Sequence, residues 1–317
     1  MTTLFPLFQR QGRSRKAFKA GFIDKTGAVR IPAEFDDCMP FSEGLAAVAV
    51  AGRWGYINDA GEMVIPPTLL NGGTFHEGLA ATPGYPIGFI DPRGQMVIPP
   101  TFAYAGDFSA GLAWVRPRND DKKIFFIDRH GAVVSDVYED ARDYSEGLAA
   151  VRSGGAWGYI DTCGRYALKP AFEDPVAGSL VDGLARVRIG EKWGLINKAG
   201  EIIVAPQFAM MYNPSLGRVA VRRGERWGYI DIDGKLVIPY KYRFVGTFSN
   251  GLTPAQREYR SGVGYIDLEG REVIAPKFEK GLDFNGGLAW VETAKALGYC
   301  DTEGKMVWEG PWCETRM

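Results

Sequence analysis

Short apolar stretches run the length of the chain, each no longer than a strand, and none carries the spacing of a helix. In Trp157-Gly158-Tyr159-Ile160-Asp161 the aromatic side chains fall on one side of an extended segment and Ile160 on the other. Leu148-Ala149-Ala150-Val151 is apolar on both sides. Such segments read as β-strands that need packing partners on both faces. Turn signals separate them: an Asp or Asn ends the first type of segment and glycine follows three residues later, as in Asp24 and Gly27, Asn58 and Gly61, or Asp267 and Gly270. The Asx side chain can accept bonds from the backbone ahead of it and glycine supplies positive φ, so each pair predicts a tight hairpin. An apolar run ending in proline comes next, for example Met63-Val64-Ile65-Pro66 and Leu236-Val237-Ile238-Pro239. Proline has no amide to donate, so it marks a strand end or edge.

The same order of signals recurs. Taking the second residue of the Trp-Gly type of phrase as a ruler gives positions 21, 55, 88, 125, 158, 194, 228, 264 and 298, a period of 33 to 37 residues. A second signature, seen as Phe41-Ser42-Glu43-Gly44-Leu45-Ala46 and Tyr144-Ser145-Glu146-Gly147-Leu148-Ala149, opens the Leu-Ala-Ala-Val strand. Each unit therefore predicts a three-stranded antiparallel meander. The chain reads as a single all-β repeat domain over residues 1–317, with nine units starting near residues 3, 43, 77, 110, 146, 182, 216, 250 and 286. Stacked meanders can form an open β-solenoid or superhelix, or close as a β-propeller. Propeller blades usually have four strands, so three-stranded units favour the open stack. The atypical ends, with Arg13, Arg15 and Lys16 at one and Trp308, Pro311, Trp312 and Cys313 at the other, suit the caps an open stack needs.

Composition narrows the function classes. With 37 Lys+Arg against 38 Asp+Glu the net charge is −1, which offers no global field for nucleic acid or an anionic membrane. Met1 to Gly21 is broken by Pro6, Arg10, Arg13, Arg15 and Lys16 and reads neither as a signal peptide nor as a membrane span. Cys38, Cys163, Cys300 and Cys313 form no Cys-x-x-Cys pair, so reduced thiols and a cytoplasmic protein are expected. Only two histidines occur, His76 and His130, and no catalytic triad, phosphate-cradling loop or metal-ligand cluster is visible. The expectation is a non-enzymatic chain without cofactor or metal. One Asx per unit, placed before a turn glycine, is too sparse for a calcium ladder. The tryptophan position holds Ala20, Ile87, Ile124, Val263 and Leu297 in other copies, which asks for core volume and not for a sugar-stacking face.

The phrase Lys192-Trp193-Gly194-Leu195-Ile196-Asn197-Lys198-Ala199-Gly200, with the Asx turn, the Ile-Pro run and the Phe-Ser-Glu-Gly-Leu-Ala signature in fixed order, resembles the bacterial WG-repeat proteins over nearly the whole chain. Phe125 in the glycine position and Val134-Ser135-Asp136 in place of Ile-Pro mark the fourth unit as irregular. The resemblance implies a β-rich interaction scaffold without an established catalytic activity. Some such proteins accompany toxin systems, so an antitoxin or immunity protein that occludes a toxin is implied, with a carbohydrate or cell-envelope polymer binding module as the alternative. The expected partner is a protein; nucleic acid, membrane and small-molecule substrate are not expected. Binding candidates are the places where the repeat departs from itself. Trp114 and Trp290 replace a small residue of the Leu-Ala-Ala-Val strand, Arg116 and Arg118 open the long loop ending at Lys123, and Arg222, Arg223, Tyr259 and Arg260 occupy two further loops. Arginine and aromatic residues dominate binding hot spots, and equivalent loops of a repeat array line up along one side.

Overall fold

The computed structural model describes residues 3–10, 18–82, 84–120, 122–172 and 180–311. Trp312 and Cys313, named above as cap residues, lie outside these, as do Arg13, Arg15 and Lys16. The chain divides into two compact units, Met1–Pro170 and Ala171–Met317. In both, every paired strand is antiparallel to its neighbour and the pairing follows chain order, as in Asp37–Cys38, Leu45–Val50, Arg53–Asn58 and Met63–Leu69 of the first unit. The second unit repeats the arrangement in Met210–Met211, Arg218–Arg223, Arg226–Asp231 and Leu236–Tyr242.

Nine three-stranded meanders are not what forms. The described strands make eight sheets, five of them four-stranded. The added strand is a two-residue piece whose partners lie on the Leu-Ala-Ala-Val strand, Cys38 opposite Val48 and Met211 opposite Val221. Two residues are too few to show alternation, which hides this strand in the sequence. Nine phrases fit into eight sheets because Met96–Ala105 runs on past Pro99 and Pro100. It pairs with Ile87–Ile90 through Ile98 and with Leu112–Pro117 through Ala105, so two phrases share one five-stranded sheet. The objection to a propeller rested on three-stranded units, and the fourth strand removes it.

Turn chemistry follows the Asx-Gly signal. Asp161 Oδ1 accepts the amides of Cys163 and Arg165 at 2.9 and 3.0 Å, and Asn197 Oδ1 accepts those of Ala199 and Glu201 at 3.0 and 2.9 Å. Asn serves as well as Asp because one carbonyl-type oxygen suffices. Where Asp stands, the Arg165 and Cys163 amides hold the Asp161 carboxyl below the usual carboxylate range.

The glycine of Trp-Gly answers a different demand. Opposite it the outer strand carries a bulge at Ile-Pro: Tyr229 faces Ile238 and Trp227 faces Tyr242, two steps on one strand against four on the other. A Cβ on Gly228 would stand 2.6 Å from the Ile238 carbonyl oxygen. Only glycine leaves room for the bulge. The fourth copy shows the converse. It has Phe125 in place of glycine, no Ile-Pro run, and no continuous outer strand, only the bridges Ile127 to Val133 and Ile124 to Tyr138. There Ser135 Oγ takes the Phe126 amide at 2.8 Å.

Packing between consecutive sheets repeats one contact within each unit. In several copies the aromatic at the third position of the phrase meets the aromatic of the following signature, Tyr56 to Phe75 and Phe126 to Tyr144 at 5.0 Å, and Tyr229 to Phe248 at 4.9 Å. Such inclined pairs contribute about 0.5–1.5 kcal/mol beyond area burial. Polar side chains tie the same steps. Ser42 Oγ donates to the Phe75 carbonyl at 2.6 Å and Ser215 Oγ to the Phe248 carbonyl at 2.6 Å. Of the Trp-Gly tryptophans, Trp157 and Trp227 are buried at 1% and 6% exposure, while Trp54 and Trp193 are half-buried.

Candidate functional site

In the first unit, Leu112–Pro117 alternates as a strand should: Ala113 and Val115 are buried, while Trp114 and Arg116 on the other face are half-buried. Arg116 reaches the rim of its sheet, where its guanidinium lies over the Tyr104 ring at 5.5 Å. Two residues on, past the strand end, Arg118 lies over Tyr85 at 5.0 Å. Both tyrosines face outward, Tyr85 at 65% and Tyr104 at 59% exposure. Leu70, 60% exposed, flanks the same hairpin, since its Cδ1 lies 3.5 Å from where a Gly84 Cβ would stand. The result is a surface of two guanidinium–tyrosine stacks with an apolar margin. Among the described residues neither arginine has an ion-pair partner, and Arg116 Nε is buried without a hydrogen-bond acceptor. In the same loop Lys123 is taken by Asp120 at 2.6 Å, and that contact, foremost, holds the Asp120 carboxyl low.

The second unit presents Tyr259 at the tip of the hairpin loop after Leu252–Gln256, at 80% exposure. The loop is anchored beneath it. Arg226 grips both oxygens of Glu258 at 3.0 and 3.1 Å and donates to the Arg257 carbonyl at 2.6 Å, and Arg243 approaches Glu258 at 3.7 Å. Arg260 takes φ 71, in the left-handed region, and lies 5.9 Å over the Tyr259 ring. A protruding aromatic on a pinned turn loses little freedom on binding.

The structure thus brings Arg116 to Arg118 and Tyr259 to Arg260. It does not gather Arg222 with them: that guanidinium lies 5.8 Å over Trp227, whose other neighbour is Tyr212 at 4.6 Å, so it closes an internal stack. Arg223 is exposed at a strand end. Trp114 packs on the cluster of Ile124, Phe126 and Tyr138, and Trp290 is half-buried opposite Tyr299. Trp114 follows a volume rule. Where its position is Ala150 or Ala220, Arg142 covers Trp157 or Tyr212 covers Trp227; where it is Trp114, the neighbour shrinks to Gly106 and the Trp-Gly position to Ile124. Sequence reasoning missed Leu70, Tyr85 and Tyr104. The signal for Tyr85 was present, since the sequence Thr82-Pro83-Gly84-Tyr85-Pro86 departs from the shorter stretches Ala51-Gly52-Arg53 and Gly190-Glu191-Lys192 of other copies.

Titratable groups cluster at one other place in the first unit. His76 Nε2 stands 3.3 Å from Asp107 Oδ2, and burial, with the charge of Asp107, pushes the Asp143 carboxyl up. No group of three or more His, Cys, Asp or Glu among the described residues could hold a metal ion, and no helix there is long and apolar enough to cross a membrane.

No curated protein matches the chain. Among solved structures it is similar to a eukaryotic initiation factor, at 11% identity and a TM-score of 0.65 over 99% of this chain and 97% of that one. It is also similar to the dihydro-haem d1 dehydrogenase NirN, at 12% identity and a TM-score of 0.51 over 90% of this chain and 76% of that one. At such identities the likeness speaks of fold alone. The fold is the β-propeller, and this overturns the open solenoid expected above in favour of its alternative. The WG containing repeat matches residues 21–54, 54–82, 87–120, 124–155, 157–193, 193–227, 227–259 and 264–294. With the Trp-Gly glycine explained by the bulge it faces and the Asx turn by the amides it collects, these matches over most of the chain mean that it belongs to the WG-repeat family.

Proposed function

We propose that this WG-repeat propeller is a protein-binding scaffold whose partner docks on Leu70, Tyr85, Tyr104, Arg116 and Arg118, and that it acts by stoichiometric occlusion, as an immunity protein does, without turnover. The observation that carries the reading is the pair of exposed guanidinium–tyrosine stacks, Arg116 on Tyr104 and Arg118 on Tyr85. Core packing does not need them, and Tyr and Arg are the residues that most often anchor interfaces. Each stack holds a flexible arginine in one arrangement before binding, which lowers the entropy cost of docking. Both arginines are free of ion pairs among the described residues, so they are open to acceptors on the partner.

The test is affinity capture from extracts of the native host, comparing the parent chain with Tyr85→Ala/Arg118→Ala and with Arg223→Ala as an exposed control. A protein held by parent and control but weakened about tenfold or more by the double variant, at unchanged melting temperature, supports the reading. Equal retention by all three refutes the surface. Turnover of any substrate by the purified chain refutes the class.

A further inference from the structure

The Phe-Ser-Glu-Gly signature ends in a turn whose two central residues both take positive φ. Among the described residues this pair recurs as Glu43 and Gly44 (52 and 84°), Glu77 and Gly78 (51 and 75°), Ala110 and Gly111 (55 and 77°), Glu146 and Gly147 (51 and 84°), Asp182 and Gly183 (53 and 75°), Leu216 and Gly217 (50 and 71°), Asn250 and Gly251 (53 and 79°), and Gly286 and Gly287 (59 and 94°). Successive amides in such turns point to the same side and form a concave receptor for an anion. In the first unit the ligand is visible. The Glu43 carboxylate accepts the Glu77 and Gly78 amides at 2.6 and 2.7 Å, and the Glu77 carboxylate accepts those of Ala110 and Gly111 at 2.8 and 2.7 Å. One oxygen goes to each amide, and the glutamate always comes from the preceding turn.

Past Asp182 the series in the second unit has no acid at this position, just as Ala110 offers none to the Glu146–Gly147 turn of the first. The residue that should fill the Asn250–Gly251 turn is Leu216, and the one that should fill Gly286–Gly287 is Asn250. Neither carries a carboxylate, and none of the four amides meets an acceptor among the described residues. Leu216 is moreover a bulky apolar residue in the left-handed region, 51% exposed, where the first unit has Glu43, Glu77 and Glu146 in three of its turns. Neither the turn nor the core needs a leucine there.

We infer that the turns Asn250–Gly251 and Gly286–Gly287 are carboxylate receptors, filled by acidic side chains of a protein partner, with Leu216 supplying apolar contact beside the first. The carboxylate chemistry stands on the occupied turns of the same chain; only its source rests on the protein-binding reading above. Two amides match two oxygens, so each receptor takes one carboxylate.

The experiment uses the full chain labelled with 15N-glycine and follows the amide resonances of Gly78, Gly111, Gly251 and Gly287. The probes are sodium acetate and a blocked tetraglutamate peptide. Gly251 and Gly287 should shift and saturate, while Gly78 and Gly111, already held by internal glutamates, stay in place. Leu216→Glu restores the missing acid, so Gly251 should move without any probe and then stop responding, with Gly287 still responsive. Glu43→Ala empties the first receptor and should make Gly78 respond, which calibrates the assay. Saturation by the peptide at concentrations at least tenfold below acetate supports acidic side chains as the natural ligand; equal or tighter binding of acetate overturns that source. Stationary Gly251 and Gly287 at concentrations that move Gly78 in Glu43→Ala overturn the site. Partner capture through Tyr85 and Arg118 is read on separate residues, so failure here and failure there are told apart.

Discussion

Trp157 is the tryptophan on which the packing of the first unit can be tested most directly. It is 1% exposed, pairs across the sheet with Arg152, and is covered by the Arg142 guanidinium at 5.0 Å, itself held by Asp140 at 2.9 Å. Trp157→Ala removes the indole from a fully buried site, so the cost is about 3–5 kcal/mol. The lost cation–π contact adds about 0.5–1 kcal/mol. For a unit of this size each kcal/mol lowers the midpoint by roughly 2–4 °C, so a fall of about 7–24 °C is expected. Trp193→Ala is the internal comparison, at the same repeat position and also covered by an arginine, Arg186 at 5.4 Å, but half-buried. It should cost less. Thermal and urea unfolding followed by near-ultraviolet circular dichroism would measure both. An unchanged midpoint for Trp157→Ala, or a larger loss for Trp193→Ala, would refute the claim that the Trp-Gly position works through buried volume.

Gly228→Ala puts a Cβ 2.6 Å from the Ile238 carbonyl oxygen and 3.0 Å from backbone atoms of Pro239 and Tyr240. Backbone cannot swing aside, so about 1–3 kcal/mol of overpacking, less about 0.4–1 kcal/mol from a stiffer unfolded chain, should appear in urea denaturation as a lower midpoint at constant slope. Asp143 carries a carboxyl raised first by burial and then by Asp107, so its contribution to stability is full below the ordinary value of 3.8 and is lost as pH rises through the higher native value. Asp143→Asn should therefore melt above the parent at neutral pH, with the gain gone near pH 3; a gain that grew on acidification would reverse the assignment. Tyr85→Ala/Arg118→Ala should leave melting unchanged while weakening partner capture about tenfold, read from the bound fraction.

Much of this protein is written locally. The Asx at Asp161, the glycine at Gly164 and the run Leu236-Val237-Ile238-Pro239 act over a few residues, and they specify hairpins, strand ends and the period without help from the rest of the chain. Even Gly228 and the odd Phe125 are legible as a pair once the bulge is known, because the glycine and the Ile-Pro run depart together. Tertiary structure decided the rest. A two-residue strand such as Met210–Met211 exists only because Arg218–Arg223 offers it a free edge, and nothing in two residues announces that. The run of Met96–Ala105 across two phrases depends on which strands lie beside it. Open stack and propeller share the same local signals and differ by a small rotation per unit, which no short motif encodes. Function divides in the same way. Arg116, Arg118, Tyr259 and Arg260 stand out in the sequence as departures from the repeat, but the company they keep does not: Tyr85 and Tyr104 reach Arg118 and Arg116 across sequence distances that only folding closes, and Arg222, equally conspicuous as a residue, is drawn onto Trp227 because its strand face points it inward.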